Sequence, residues 1–228
     1  MTLRYFRARI GGFLCILGIL ILLLTAAQML HTPKETLLQN DRTPTLIIDP
    51  GHGGEDGGAV ATDGTQEADV NLQIALRLRA LAEFCGVPVV MTRDSATIDY
   101  PTDAGTIAAR KVADQKQRVE RINAVEHGAL ISIHQNFYPA PGPHGAEALY
   151  AATVHSEEFG KLLHALLLQT LDPENRRVAA PISDEIYLMR NVNCPAVLVE
   201  CGYMTTPRED YLLSMPVYQQ WLAEGMAQ

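Results

Sequence analysis

Four side chains of the types that bind metals or transfer protons stand beside short apolar runs of the 228-residue sequence. His52 follows the first run, His134 ends a second, and Glu200 ends a third. A catalytic zinc site usually takes three protein ligands, with imidazole and carboxylate groups well suited, and leaves a fourth position for water. We expect His52 and His134 to be two of the ligands. Glu67, which follows a glycine-rich loop, is the candidate for the third.

Zinc-assisted hydrolysis also needs a carboxylate that takes a proton from water and passes it to the leaving group. Glu200 is the candidate, because it stands in the core-like run 197–201, where a carboxylate is costly unless it is paired, metal-bound or functional. Spacing alone leaves a second interpretation open. In it, His52 and His134 are hydrogen-bonded structural residues and Glu67 is an ordinary charge at the start of a helix.

Short apolar runs alternate with segments of helical periodicity, and this predicts a single α/β domain of three layers. We expect a largely parallel or mixed twisted sheet with helices on both faces. Ligands of such sheets bind beyond the carboxyl ends of the strands, so the predicted site residues share one edge. The predicted strands are 45–49, 87–91, 129–133, 146–151 and 196–199, and the predicted helices are 66–85, 106–127, 156–171 and 217–228.

The first thirty residues predict a membrane anchor. Residues 10–30 contain no charged side chain and are long enough to span a bilayer as a helix. Arg4, Arg7 and Arg9 precede them, so the positive-inside rule leaves the N-terminus in the cytoplasm. A signal peptide cleaved near 25–27 is the alternative. Both interpretations export the rest of the chain.

The predicted organisation is therefore a single-pass anchor over 1–30, a linker over 31–44, and an extracytoplasmic catalytic domain over 45–228 at the cell membrane. Three of the 18 basic side chains precede residue 31, so the exported part carries 15 against all 26 acidic ones. Such an acidic domain is poorly suited to bind the phosphate backbone of nucleic acids, and we expect no nucleic-acid partner.

Several motifs, in order, resemble one enzyme family. The segment 48–59, with sequence IDPGHGGEDGGA, resembles the opening motif of zinc-dependent N-acetylmuramoyl-L-alanine amidases of the amidase-3 type. The segments 132–136 (SIHQN) and 195–203 (PAVLVECGY) are similar to their second histidine motif and their glutamate strand. Glu67, followed by Asn71, matches the position of their glutamate ligand. The resemblance extends from residue 45 to the C-terminus.

This resemblance implies Zn²⁺ bound by His52, Glu67 and His134, with Glu200 as the catalytic carboxylate. It implies hydrolysis of the peptidoglycan amide between N-acetylmuramic acid and L-alanine. A single anchor followed directly by a compact domain is similar to the spore-cortex members, which act in sporulation. Action by the domain alone and control by a protein activator both remain open.

Some residues depart from the family pattern or lack a clear role. Gln135 stands where the family often has a small or aliphatic residue, so it either contacts substrate or faces solvent. His144 is either a loop residue or a group that reaches the site. Arg93 and Arg118 are expected to be structural ion-pair residues.

Two alternatives to the amidase remain. A zinc peptidase would use the same metal, water and carboxylate, and loops would decide its substrate. A non-catalytic peptidoglycan-binding module would usually have lost a ligand or the glutamate, and here all four residues are present.

Overall fold

The computed structural model describes residues 44–228 apart from residues 103 and 141. The predicted anchor over 1–30 and all but the last residue of the predicted linker lie outside the described residues. Within the described part of the chain, every helix is too short or too polar to cross a bilayer.

Six strands and six helices make up the described domain. The strands are β1 (Thr45–Pro50), β2 (Val89–Met91), β3 (Gly128–Asn136), β4 (Glu147–Tyr150), β5 (Ala180–Pro181) and β6 (Ala196–Tyr203). The helices are α1 (Glu67–Phe84), α2 (Ile107–Asn123), α3 (Ser156–Leu171), α4 (Tyr187–Asn191), α5 (Pro207–Ser214) and α6 (Pro216–Ala227).

The strands form one mixed sheet in the order β2-β1-β3-β6-β4-β5. Strands β2, β1, β3 and β6 run parallel, and β4 runs antiparallel to β6. The central strands are apolar on both faces because helices cover both, which explains their continuous apolar sequences. Since β1, β3 and β6 are parallel, their carboxyl ends meet at one edge of the sheet, as predicted.

Two apolar cores lie on opposite faces of the sheet. One contains side chains of α1, α3 and α6, including Ile74, Leu167 and Leu222. The other contains side chains of α2 and α4, including Ile122 and Met189. The predicted arrangement of one α/β domain with helices on both faces is confirmed.

Some predicted boundaries were wrong. The helix predicted over 106–127 ends at Asn123, and the chain turns through His127, which has a φ of 54°, before β3 begins. Elements β5, α4 and α5 were not predicted. Strand β5 has two residues and α4 has five, which is too short for a periodic apolar pattern to develop.

A buried ion pair connects the end of β1 to α2 and β3. The Asp49 carboxylate accepts hydrogen bonds from Arg118 at 2.8 Å, from Thr92 Oγ1 at 2.5 Å and from Ser132 Oγ at 2.6 Å. Burial alone would raise the pKa of Asp49, but Arg118 and the two hydroxyl groups outweigh it and lower the pKa. Asp49 is therefore ionised inside the domain, and these partners stabilise its negative charge.

Replacing Arg118 by Met should lower the free energy of unfolding by about 3–5 kcal/mol, because it leaves the buried Asp49 carboxylate without its counter-charge. Urea unfolding of the full chain in mild detergent measures this. The matched control is Arg79→Met, which removes a partly exposed arginine 4.0 Å from Asp94 and should cost less than about 1 kcal/mol. Equal losses in the two variants would contradict a stabilising role for the pair.

Candidate metal centre

The three predicted metal ligands meet at the carboxyl edge of the sheet. His52 lies in the loop after β1, Glu67 is the first residue of α1, and His134 lies in β3. Glu67 Oε1 is 3.3 Å from His52 Nε2 and 3.1 Å from His134 Nδ1. One ligand atom from each residue lies within 4.8 Å of the other two.

These separations fit a small tetrahedral cation. With zinc–ligand bonds of about 2.0–2.1 Å, ligand atoms at two corners of a tetrahedron are about 3.3 Å apart. The distances from Glu67 Oε1 to the two imidazole nitrogens are close to that value. Two imidazoles and one carboxylate are also the donor set of several catalytic zinc sites. The residues present therefore fit Zn²⁺.

Glu67 is prepared for metal binding by its surroundings. Its side chain is buried, and its Oε2 accepts a hydrogen bond of 2.8 Å from the amide of Ala59. Burial raises the pKa of Glu67, but His134 and His52 outweigh that effect and hold the pKa well below its usual range. The carboxylate is also at the N-terminus of α1, where the helix dipole favours a negative charge. Glu67 is therefore ionised at neutral pH.

The backbone at His52 has an uncommon conformation that two arginines hold in place. His52 has a φ of 59°, in the left-handed region that few side chains adopt. Arg118 donates to His52 O at 2.6 Å and to Pro50 O at 2.8 Å, and Arg93 donates to Gly51 O at 2.9 Å. Arg118 forms the expected ion pairs, whereas the contacts of Arg93 within the described residues are to backbone carbonyls.

The other ring nitrogen of His52 faces a carboxylate. Asp56 Oδ2 is 3.0 Å from His52 Nδ1, and Lys111 Nζ lies 2.9 Å from the same oxygen. The angle at this nitrogen is not that of a hydrogen bond, so Asp56 faces the ring as a nearby negative charge. This contact was not predicted, although the position of Asp56 four residues after His52 could have indicated it.

Glycine is required at one close approach in the loop. Gly58 has a φ of 69°, and a side chain there would collide with Glu67 and His52. The glycine-rich sequence of this loop is therefore explained in part by the space that the ligands occupy.

Glu200 lies beside the three ligands on the neighbouring strand. Its Cα pairs with that of His134 in the parallel register of β3 and β6, so both side chains lie on one face of the sheet. Among the described residues, its buried Oε2 has no hydrogen-bond partner. Burial raises the pKa of Glu200 to about 7, an effect that His134 opposes and the Glu67 carboxylate reinforces. Such a carboxyl group can both accept and donate a proton near neutral pH.

A cleft of about 590 Å³ opens in front of this cluster. His52, His134 and Glu200 line one end of it. Its remaining wall is mainly apolar and comes from α2 and the segment around α4, with the side chains of Val112, Ile186, Tyr187, Leu188 and Met189. The cleft is large enough to hold part of a peptide or glycan next to the candidate ligands.

Other predicted side chains lie elsewhere. Gln135 is 4% exposed and points into the interior, so both expectations for it, substrate contact and solvent exposure, were wrong. His144 is an exposed loop residue whose Nδ1 lies 3.2 Å from Gly142 O. It lines a different cavity, together with side chains of α3 and α5.

Comparison with known proteins places this chain in a family. A model of the family Amidase_3, N-acetylmuramoyl-L-alanine amidase, matches residues 46–228. A germination-specific N-acetylmuramoyl-L-alanine amidase of Bacillus subtilis is 37% identical over 182 residues, covering 79% of this chain and 76% of that protein. The amidase LytC of the same species is 26% identical over 185 residues, but the alignment spans only 34% of its length.

A solved structure shows the same fold. The CwlD amidase from Clostridioides difficile, determined in complex with the GerS lipoprotein, superposes with a TM-score of 0.77 at 34% identity. The match covers 81% of this chain and 94% of that one. With a family match over the described domain and relatives at this level of identity, the chain belongs to the Amidase_3 family of N-acetylmuramoyl-L-alanine amidases.

Proposed function

We propose that this amidase is zinc-dependent and that it hydrolyses the amide between N-acetylmuramic acid and the L-alanine of the peptidoglycan stem peptide. The observation that carries the proposal is the cluster of His52, Glu67 and His134, whose separations suit a tetrahedral cation, with Glu200 beside it. Family membership supports the choice of bond.

In this proposal the three ligands hold Zn²⁺, which supplies Lewis acidity towards water and towards the amide carbonyl. Glu200 accepts a proton from the attacking water as the water oxygen adds to the carbonyl carbon. Glu200 then donates that proton to the amide nitrogen as the carbon–nitrogen bond breaks. The products are the free lactyl carboxyl group and a stem peptide with a free L-alanine amine. The pKa of about 7 suits a group that acts in both directions.

We also propose that the domain works outside the cytoplasm, held at the cell membrane by residues 1–30. The proposal is supported by the uncharged run 10–30 behind three arginines and by the extracytoplasmic position of peptidoglycan. Residues 31–44 would then separate the anchor from the catalytic domain. This organisation leaves the cleft free to reach wall material next to the membrane.

The source of the substrate is proposed to be the spore cortex. The support is the similarity to a germination-specific amidase and to a sporulation-specific amidase of Bacillus subtilis, the second 30% identical over 184 residues.

A protein partner that controls activity is proposed on a related ground, because the CwlD amidase was solved with a lipoprotein bound.

Replacing Glu200 by Gln should lower the rate of amide cleavage by about 10²–10⁴-fold, because the amide side chain cannot accept the proton. The assay digests purified peptidoglycan with the full chain in detergent and zinc, and mass spectrometry identifies the new ends. The wild-type chain should release stem peptides that begin with L-alanine. Glu157→Gln, an exposed carboxylate on α3, is the matched control and should keep full activity. Cleavage between amino acids of the stem would instead favour a zinc peptidase.

Replacing His134 by Ala should abolish zinc binding, because two ligands do not complete the site. Elemental analysis of the full chain after dialysis should give about one zinc per wild-type chain and close to none for the variant. His144→Ala removes an exposed histidine of a separate cavity and should retain the metal. Wild-type protein without zinc, or equal zinc in both variants, would contradict the proposed centre.

A further inference from the structure

A buried row of amide side chains lies behind Glu67. Asn71 stands four residues after Glu67 on α1, and Gln135 follows His134 on β3. Asn71 is fully buried, and Gln135 is 4% exposed. Neither takes part in the proposed reaction, yet the two connect the Glu67 carboxylate to the interior of the domain.

The hydrogen bonds of Asn71 fix the direction of its amide. Its Nδ2 donates to Gly51 O at 3.2 Å and lies 3.4 Å from Glu67 Oε1. Both partners are acceptors, so the NH₂ group must face them. The Asn71 Oδ1 then faces away from the site, where it accepts a hydrogen bond of 3.0 Å from Gln135 Nε2.

Gln135 also reaches Glu67 through its backbone. The pairing of β3 with β1 ends at Ile133, opposite Pro50, so the backbone N–H of Gln135 lies beyond the end of that pairing. This backbone N–H donates a hydrogen bond to Glu67 Oε1 at 3.1 Å. The oxygen of Glu67 nearest to both histidines is therefore held by Gln135 directly and through Asn71.

The side chain of Gln135 has one satisfied end and one unsatisfied end. Its buried Oε1 has no hydrogen-bond partner among the described residues, and an unpaired buried acceptor lowers stability. Its Nε2 donates a hydrogen bond to Asn71 Oδ1. Within the described residues, the side chain of Gln135 therefore interacts with the metal-centre residues through its Nε2 donor and not through its Oε1.

We propose that Gln135 is a positioning residue that holds Asn71, and through it the Glu67 carboxylate, in the orientation that binds zinc. The inference rests on the proposed zinc centre. It assigns a role to a position where this chain departs from the small or aliphatic residue often found in the family. Gln135 acts on metal affinity and touches neither substrate nor the metal.

The test measures the zinc dissociation constant of the full chain in detergent by competition with a chelator. Gln135→Met keeps the volume of the side chain but removes the donor, and it should weaken zinc binding by about 10–100-fold. Gln135→Ala is the second variant, should the first fail to fold, and the same loss is expected. Gln219→Met is the matched control: this buried glutamine on α6 also donates through its Nε2, to Leu213 O, but lies outside the site. Its zinc affinity should be unchanged.

A double variant separates a positioning role from general loss of stability. If Gln135 acts through Asn71, Asn71→Ala combined with Gln135→Met should lose about as much zinc affinity as Asn71→Ala alone. Fully additive losses, or unchanged zinc affinity in Gln135→Met, would overturn the inference while leaving the zinc centre intact. Absence of zinc binding by the wild-type chain would overturn the proposed function itself.

Discussion

The buried contact between Asp49 and Arg118 is the interaction on which the geometry of the site depends. Asp49 ends the apolar part of β1, and its carboxylate is ionised in the interior because Arg118 and two hydroxyl groups surround it. The same guanidinium group binds the carbonyl oxygens of Pro50 and His52. A single buried charge pair therefore fixes both the end of the strand and the first histidine after it.

This constraint explains how His52 can hold a strained backbone conformation. A left-handed φ at a residue other than glycine costs free energy and persists only where its surroundings enforce it. Arg118 and Arg93 enforce it from two sides through backbone carbonyls. Strand β3 supplies one of the two histidines, and the arginines hold the loop that supplies the other.

Two carboxylates in one small site have opposite properties, and their surroundings account for this. Glu67 receives amide hydrogen bonds and faces two imidazoles, which favour the ionised form. Glu200 is buried without a partner for one oxygen and next to another carboxylate, which favours the protonated form. A pair of carboxylates whose pKa values are pushed apart is a common basis for dividing roles in catalysis. Here Glu67 suits metal binding and Glu200 suits proton transfer.

Much of this arrangement could be predicted from the sequence. The strands that deliver His134 and Glu200 are long and apolar, and parallel strands bring their ends together, so the clustering of these residues followed from the pattern. The burial of Gln135 did not, because helices cover both faces of the sheet, so the alternation of side chains along β3 does not separate buried from exposed positions near the end of the strand. The hydrogen bonds from Arg93 and Arg118 to the loop after β1 could not be predicted either, because their acceptors are backbone carbonyls, which carry no sequence signal.

The most direct test of the roles of Glu67 and Glu200 is a crystal structure of the zinc-loaded protein with anomalous data collected at the zinc absorption edge. We predict one strong anomalous peak about 2.0–2.2 Å from His52 Nε2, Glu67 Oε1 and His134 Nδ1, with Glu200 outside the coordination shell. A peak at another place, or zinc bound by Glu200 in place of Glu67, would contradict the division of roles between the two carboxylates.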